Sequence, residues 1–214
     1  ERPMRVIEAA RIMAAGYAPR GRLDVARRLD RDGVQALLLT DRTLVVPGTN
    51  ERMDWVAFNL RTMPRPSRAL AATLRAGASG ALWHGGFLRH AEILYDFAKE
   101  RDVRLMIGHS LGAASAQIAG ASLRLPVIGF ASPRTKHGAR RFPGEGWVLN
   151  VNRSDDLIGW LPPRGFGFRH LGSVHRLDPP QVNRGPDHGM AHYIRLLRHP
   201  VVGASLPRVW PPRT

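Results

Sequence analysis

Ser110 stands in the run Ile107-Gly108-His109-Ser110-Leu111-Gly112-Ala113, a G-x-S-x-G pentapeptide. A serine hydroxyl becomes a nucleophile when a base takes its proton, a third group orients that base, and donors await the oxyanion that attack creates. Gly108 and Gly112 have no Cβ to collide with a neighbouring strand and helix. The turn can therefore be sharp enough to strain Ser110 and expose its Oγ above a sheet edge, with a helix N-terminus behind it. The N–H of Leu111, the residue after the nucleophile, is then one oxyanion donor on geometric grounds. Downstream, Asp155 and Asp156 lie just past an apolar run, and His188 and His192 lie near the C-terminus. Serine, acid and histidine in that order could carry out acyl transfer through an acyl-enzyme, a chemistry that needs no metal or organic cofactor. His188 and His192 are spaced like a helical metal pair, but no third ligand matches them.

These groups need a strand, a turn and a helix to place them. Val103 to Ile107 reads as a central strand entering the elbow, and the small-residue run from Ala113 to Gly120 as the helix leaving it. Val127 to Phe130 is a second central strand. Val148 to Val151 is a short buried strand that hands over to a loop, Asn152 to Ile158, carrying the acids. His188 falls at a loop-to-helix junction before a helical stretch from Ile194 to Arg198, with His192 one turn further in. Val6 to Ala15, Leu23 to Leu29 and Phe87 to Lys99 look helical. Val34 to Leu39 and Thr43 to Val46, joined through Asp41-Arg42, suggest an antiparallel hairpin ahead of the parallel strands. Pro64-Arg65-Pro66-Ser67 interrupts the first half. Pro200, Pro207, Pro211 and Pro212 make residues 199–214 an extended tail on a single 1–214 domain.

Five blocks resemble those of the class 3 lipases, an α/β-hydrolase family that includes fungal triacylglycerol lipases. They are Val45-Val46-Pro47-Gly48-Thr49-Asn50 with Asp54-Trp55 and Asn59-Leu60; His84-Gly85-Gly86-Phe87; Gly108 to Gly112; Phe130-Ala131-Ser132-Pro133-Arg134; and Asp156-Leu157-Ile158-Gly159-Trp160-Leu161-Pro162-Pro163. His188 followed by Tyr193 fits the terminal histidine block. The resemblance implies an α/β-hydrolase fold, with a mostly parallel sheet, helices on both faces and the elbow at Ser110. It selects Asp156 as the acid, with Asp155 its solvated neighbour, and His188 as the base over His192. It also implies Thr49 as the second oxyanion donor, supported by Gly48 and Asp54. Two departures touch loop geometry: Pro47 stands where the family usually has arginine, and Gly159 where it has proline. His109 is expected to be packing support and His84 a hydrogen-bonded structural residue. Trp55, Val56, Phe58 and Leu60 form either a core-facing helix side or a lid or acyl-binding wall.

Composition bounds the rest. At 214 residues and 43% hydrophobic content the chain can build one sizeable core. The absence of cysteine excludes a disulfide scaffold and leaves the compartment open. Apolar runs stay short of the roughly 18 residues a membrane span needs. Glu1-Arg2-Pro3-Met4 lacks the apolar core of a signal peptide. Lys and Arg number 32 against 17 Asp and Glu, a net charge of +15 that attracts anions. GC-rich coding would favour arginine without functional pressure. Otherwise such a field fits an anionic phospholipid membrane surface, a phosphorylated or carboxylated substrate, or an acidic partner protein. The basic residues are spread along the chain without a nucleic-acid-binding motif, which argues against nucleic acid. Two expectations result: a serine ester hydrolase acting on lipid esters, with phospholipase A1 or lysophospholipase activity as its sharper form, or a non-catalytic hydrolase-fold binding protein.

Overall fold

The computed structural model describes residues 2–18, 22–48, 74–182 and 188–212. The chain opens with β1 (Met4–Arg5), α1 (Val6–Gly16) and a meander of β2 (Val25–Arg31), β3 (Val34–Leu39) and β4 (Thr43–Val46). After β5 (Leu74–Ala76) and β6 (Leu82–His84) come α2 (Gly85–Lys99), β7 (Leu105–His109), α3 (Leu111–Leu123) and β8 (Val127–Phe130). Next are β9 (Lys136–His137), β10 (Val148–Arg153), β11 (Phe168–Arg169), β12 (Ser173–Leu177), α4 (Met190–Leu197) and β13 (Val209–Trp210).

Seven strands form the main sheet in the order β12-β10-β8-β7-β4-β3-β2. The first five run parallel, and β3 and β2 are antiparallel to their neighbours. Side chains alternate across the sheet. On β7, Met106 packs towards one face with Phe87, Leu94 and Ala119, so α2 and α3 lie there. Leu105 and Ile107 pack towards the other with Ala9, Met13 and Tyr193, so α1 and α4 lie on that side. The expected mostly parallel sheet, with helices on both faces, is the fold observed. A smaller sheet, β11-β9-β6-β5, stands beside it.

Of the segment Leu23 to Leu29, expected as a helix, Val25 to Leu29 lie instead in β2. Its Ala, Arg and Leu are good helix formers, but Asp32 and Gly33 both take positive φ (50° and 78°). Those angles make a two-residue hairpin turn, and Arg31 pairs with Val34 across it. Arginines at 27, 28 and 31 give this sheet edge a charged strand that discourages further pairing. The expected strand from Val103 begins at Leu105 and reaches His109, while β10 continues past Val151 to Arg153. The final helix begins at Met190 rather than Ile194. The proline-rich stretch from His199 carries one 3-10 turn, Val202–Ser205, before β13 pairs antiparallel with β1.

The β7–α3 junction is tightly packed. Ser110 precedes the first residue of α3 with φ 57° and ψ −123°, a conformation rarely open to residues with a side chain. A Cβ on Gly108 would meet Ala113 Cα at 2.6 Å, and one on Gly112 would meet Val46 O at 2.0 Å. Both obstacles are backbone. Gly112→Ala should therefore destabilise the protein by at least about 1–3 kcal/mol, read as a lower urea midpoint. Gly146→Ala, where nothing lies within 4 Å, should leave that midpoint almost unchanged.

Candidate active site

Three chain segments meet at the carboxyl edge of the sheet. Ser110 N–H donates to Phe130 O (3.0 Å), and Ser110 O accepts from Ala114 N (3.1 Å), which fixes the elbow against β8 and α3. The serine is strained, as expected, but it is not exposed: only 1% of its surface is accessible. The His188 imidazole lies against it, with Nε2 2.8 Å from Ser110 Oγ.

Asp156 caps the 3-10 turn Leu157–Trp160, its Oδ1 accepting from Ile158 N at 3.0 Å. Its Oδ2 takes His188 Nδ1 at 2.9 Å and the Tyr193 hydroxyl at 2.8 Å. Burial alone would raise the carboxyl's pKa. The bonds from His188, Tyr193 and Ile158 outweigh it and hold the group below its ordinary value. An ionised carboxylate only accepts, so Nδ1 carries the imidazole proton and Nε2 is left to accept from Ser110 Oγ–H. Tyr193 is fully buried, and burial pushes its phenol well up, so it stays a donor to Asp156. Its oxygen also accepts from Arg153 N (3.0 Å), tying α4 to the end of β10.

The structure thus brings Ser110, His188 and Asp156 together. His192 lies one turn along, where its backbone O accepts from Arg153 Nη1 (3.4 Å). Asp155, expected to be solvated, is not: its side chain is 1% exposed and forms a two-pronged pair with Arg153 at 2.9 and 3.0 Å. A carboxylate this buried needs a fixed cation, and the last residue of β10 supplies one. Arg134 donates to Trp160 O and to Pro162 O (3.1 Å), so the Ser132-Pro133-Arg134 block braces the turn that follows Asp156.

Gly48 passes close to the elbow. A Cβ there would fall 2.6 Å from His109 O and 3.1 Å from Leu111 N. Thr49, Asp54 and the apolar stretch from Trp55 to Leu60 lie outside the described residues. His109 is buried and does more than pack: Nδ1 is 2.6 Å from the Tyr17 hydroxyl and Nε2 is 2.8 Å from His188 O. His84 is buried between Phe87 and Phe168, with ring centroids 4.3 and 6.2 Å away. Its Nδ1 has no hydrogen-bond partner among the described residues. Tyr17 escaped the sequence reading, which offers no local sign of it, 92 residues before His109. The role of Tyr193 was also missed, although its place five residues after His188, on a helix, was the available signal.

Sheet order, elbow and site residues together define an α/β-hydrolase fold. It is similar to the lipase from Rhizopus microsporus var. chinensis, with 18% identity, 88% of this chain and 81% of that one covered, and a TM-score of 0.60. It is similar to Rhizomucor miehei triacylglyceride lipase, with 16% identity, 82% of both chains covered and a TM-score of 0.57. A third solved structure, described as a triacylglycerol lipase whose catalytic centre is a serine protease triad, matches at 18% identity, 82% of both chains and a TM-score of 0.55. At these identities the likeness is one of fold. No family model matches the chain. Among the described residues, no helix is long and apolar enough to cross a membrane.

Three buried histidines give stability a defined pH dependence. Burial lowers His84, His109 and His170 from 6.5 to about 4. Between those values the unfolded chain binds protons that the folded chain refuses, so stability falls as pH falls. The loss is about 1.4 kcal/mol per pH unit for each histidine. Asp156, shifted down from 3.8, adds a further loss below that window. Urea midpoints at constant ionic strength should drop steadily from pH 6.5 to pH 4.5. A flat profile would mean that these imidazoles take up protons in the folded state.

Proposed function

We propose that this protein is a serine ester hydrolase that cleaves acyl esters of lipids through Ser110, His188 and Asp156. The observation that carries the reading is the unbroken line from Ser110 Oγ through His188 to Asp156, with links of 2.8 and 2.9 Å. His188 Nε2 takes the Ser110 proton as Oγ attacks the ester carbonyl. The imidazolium formed is stabilised by Asp156 and then protonates the leaving alcohol. Water, deprotonated by His188, releases the acid from the acyl-enzyme. Leu111 N–H faces the developing oxyanion from the first turn of α3, and Thr49, by family resemblance, supplies the second donor, with Asp54 holding its hydroxyl. Each such donor is worth about 3–4 kcal/mol. A binding module would have no use for a buried carboxylate, an imidazole and a hydroxyl in line. The similarity in fold to lipases supports lipid esters as the substrate class, and the net charge of +15 favours those presented on anionic surfaces, such as phospholipids.

Turnover of a short p-nitrophenyl ester series, beside anionic phospholipid vesicles, tests this. Ser110→Ala should abolish hydrolysis with the melting profile unchanged. Asp156→Asn and His188→Ala should each lower kcat by a factor on the order of 10³ or more. His192→Ala should keep kcat within a few-fold of wild type. A Ser110→Ala protein as active as wild type, or a larger loss from His192→Ala than from His188→Ala, would sink the assignment.

A further inference from the structure

Tyr17, at the end of α1, reaches two segments of the site at once. Its oxygen lies 2.7 Å from Gly48 N and 2.6 Å from His109 Nδ1. A backbone N–H can only donate, so the Tyr17 oxygen accepts from Gly48. Its own O–H is then free to donate to His109 Nδ1. At the other side of that ring, Nε2 lies 2.8 Å from the carbonyl of His188, which can only accept. Nε2 must therefore carry the proton and Nδ1 must be bare. Every donor finds one acceptor, and one tautomer satisfies all three bonds. The rings follow the same path. Tyr17 meets His109 edge-on at 5.5 Å, and the His109 and His188 ring centroids lie 4.8 Å apart with the rings tilted by 37°. Tyr17 is 42% exposed overall, yet its hydroxyl is turned inward, and burial pushes the phenol up to about 12, so it keeps its proton.

We propose that Tyr17 and His109 are positioning residues, a hydrogen-bond relay that holds the oxyanion side of the site, at Gly48, and the backbone of His188 in register with each other. The inference rests on the ester-hydrolase reading above. Gly48 directly precedes Thr49, and its N–H is engaged by Tyr17, so the relay sets where the chain enters the oxyanion segment. His188 lies just outside α4, which begins at Met190. Its carbonyl is held by His109 while its ring bonds Ser110 and Asp156. Neither positioning residue need touch substrate. Both fix groups whose displacement by about 1 Å would cost up to a hundredfold in rate.

The test compares Tyr17→Phe, which keeps the ring and removes the hydroxyl, with Tyr17→Leu, which removes both. A relay predicts that Phe loses kcat about ten- to a hundredfold, nearly as much as Leu, with KM for a soluble p-nitrophenyl ester within a few-fold of wild type. Full kcat in the Phe variant would reduce Tyr17 to a packing residue and overturn the proposal. A second readout needs no turnover. Long-range proton–nitrogen NMR correlations of the imidazoles should show His109 protonated at Nε2 alone in the wild-type protein. In Tyr17→Phe both the His109 Nδ1 and the His188 ring signals should move, in an otherwise unchanged spectrum. A His109 protonated at Nδ1, or His188 signals indifferent to Tyr17→Phe, would refute the relay. An intact NMR signature without ester turnover would leave the relay standing and remove the hydrolase reading instead.

Discussion

The close approach of α3 to the end of β4 governs the geometry of the whole site. The carbonyls of Val46 and Pro47 occupy the place where a Cβ on residue 112 would be. The first turn of the helix therefore docks on the strand that leads into Gly48. That contact requires the chain to reverse from β7 into a helix within one residue, hence the positive φ of Ser110. It also brings Gly48 beside Leu111 N–H. Strain of about 1–3 kcal/mol at one residue persists when the surroundings over-determine it. Here they do so through the bonds to Phe130 and Ala114 and through the small residues of α3. Gly120, where a Cβ would meet Val127 Cγ2 at 2.1 Å, lets the far end of the helix lie equally near the sheet.

The second constraint is electrostatic. Asp155 and Asp156 are adjacent and both buried, an arrangement that self-repulsion and desolvation oppose. The two are kept apart chemically. Asp155 is matched to Arg153, while Asp156 is held by His188, Tyr193 and a backbone N–H. Because Asp155 already has its cation, Asp156 can remain ionised and still face an imidazole. Arg153 N–H donates to the Tyr193 hydroxyl, so the same residue that neutralises one acid helps orient the donor to the other.

The parts of this arrangement that were legible in the sequence are those whose cause is local. Glycines flanking a serine between an apolar run and an Ala-rich run reveal an elbow because sterics act over five residues. Unbroken apolarity reveals β8 because both faces of the sheet are covered. The site residues found through family resemblance, Asp156 over Asp155 and His188 over His192, are the pair the structure draws to Ser110. What was not legible depends on long-range contact. Local propensity favoured a helix at Leu23 to Leu29, although the Asp32-Gly33 dipeptide carried the hairpin signal that decides β2. The burial of Asp155 could not be read from two adjacent aspartates, since it depends on Arg153 being the last residue of a strand. Nor does any pattern near Tyr17 predict that its hydroxyl bonds a ring 92 residues on.

The two neighbouring histidines show how partners divide roles between identical side chains. His109 and His188 lie 4.8 Å apart. His188 bonds a carboxylate and a hydroxyl, the one accepting its Nδ1–H and the other able to give up a proton to Nε2. His109 bonds a phenol and a carbonyl, and burial lowers it to about 4, so it stays neutral when its neighbour charges. Two cations at that distance would oppose each other. A neutral His109 therefore places no like charge beside the proposed base, while its Nε2–H fixes that base's backbone. A histidine within the elbow suits the site because it offers one acceptor and one donor in a plane and, once desolvated, no charge.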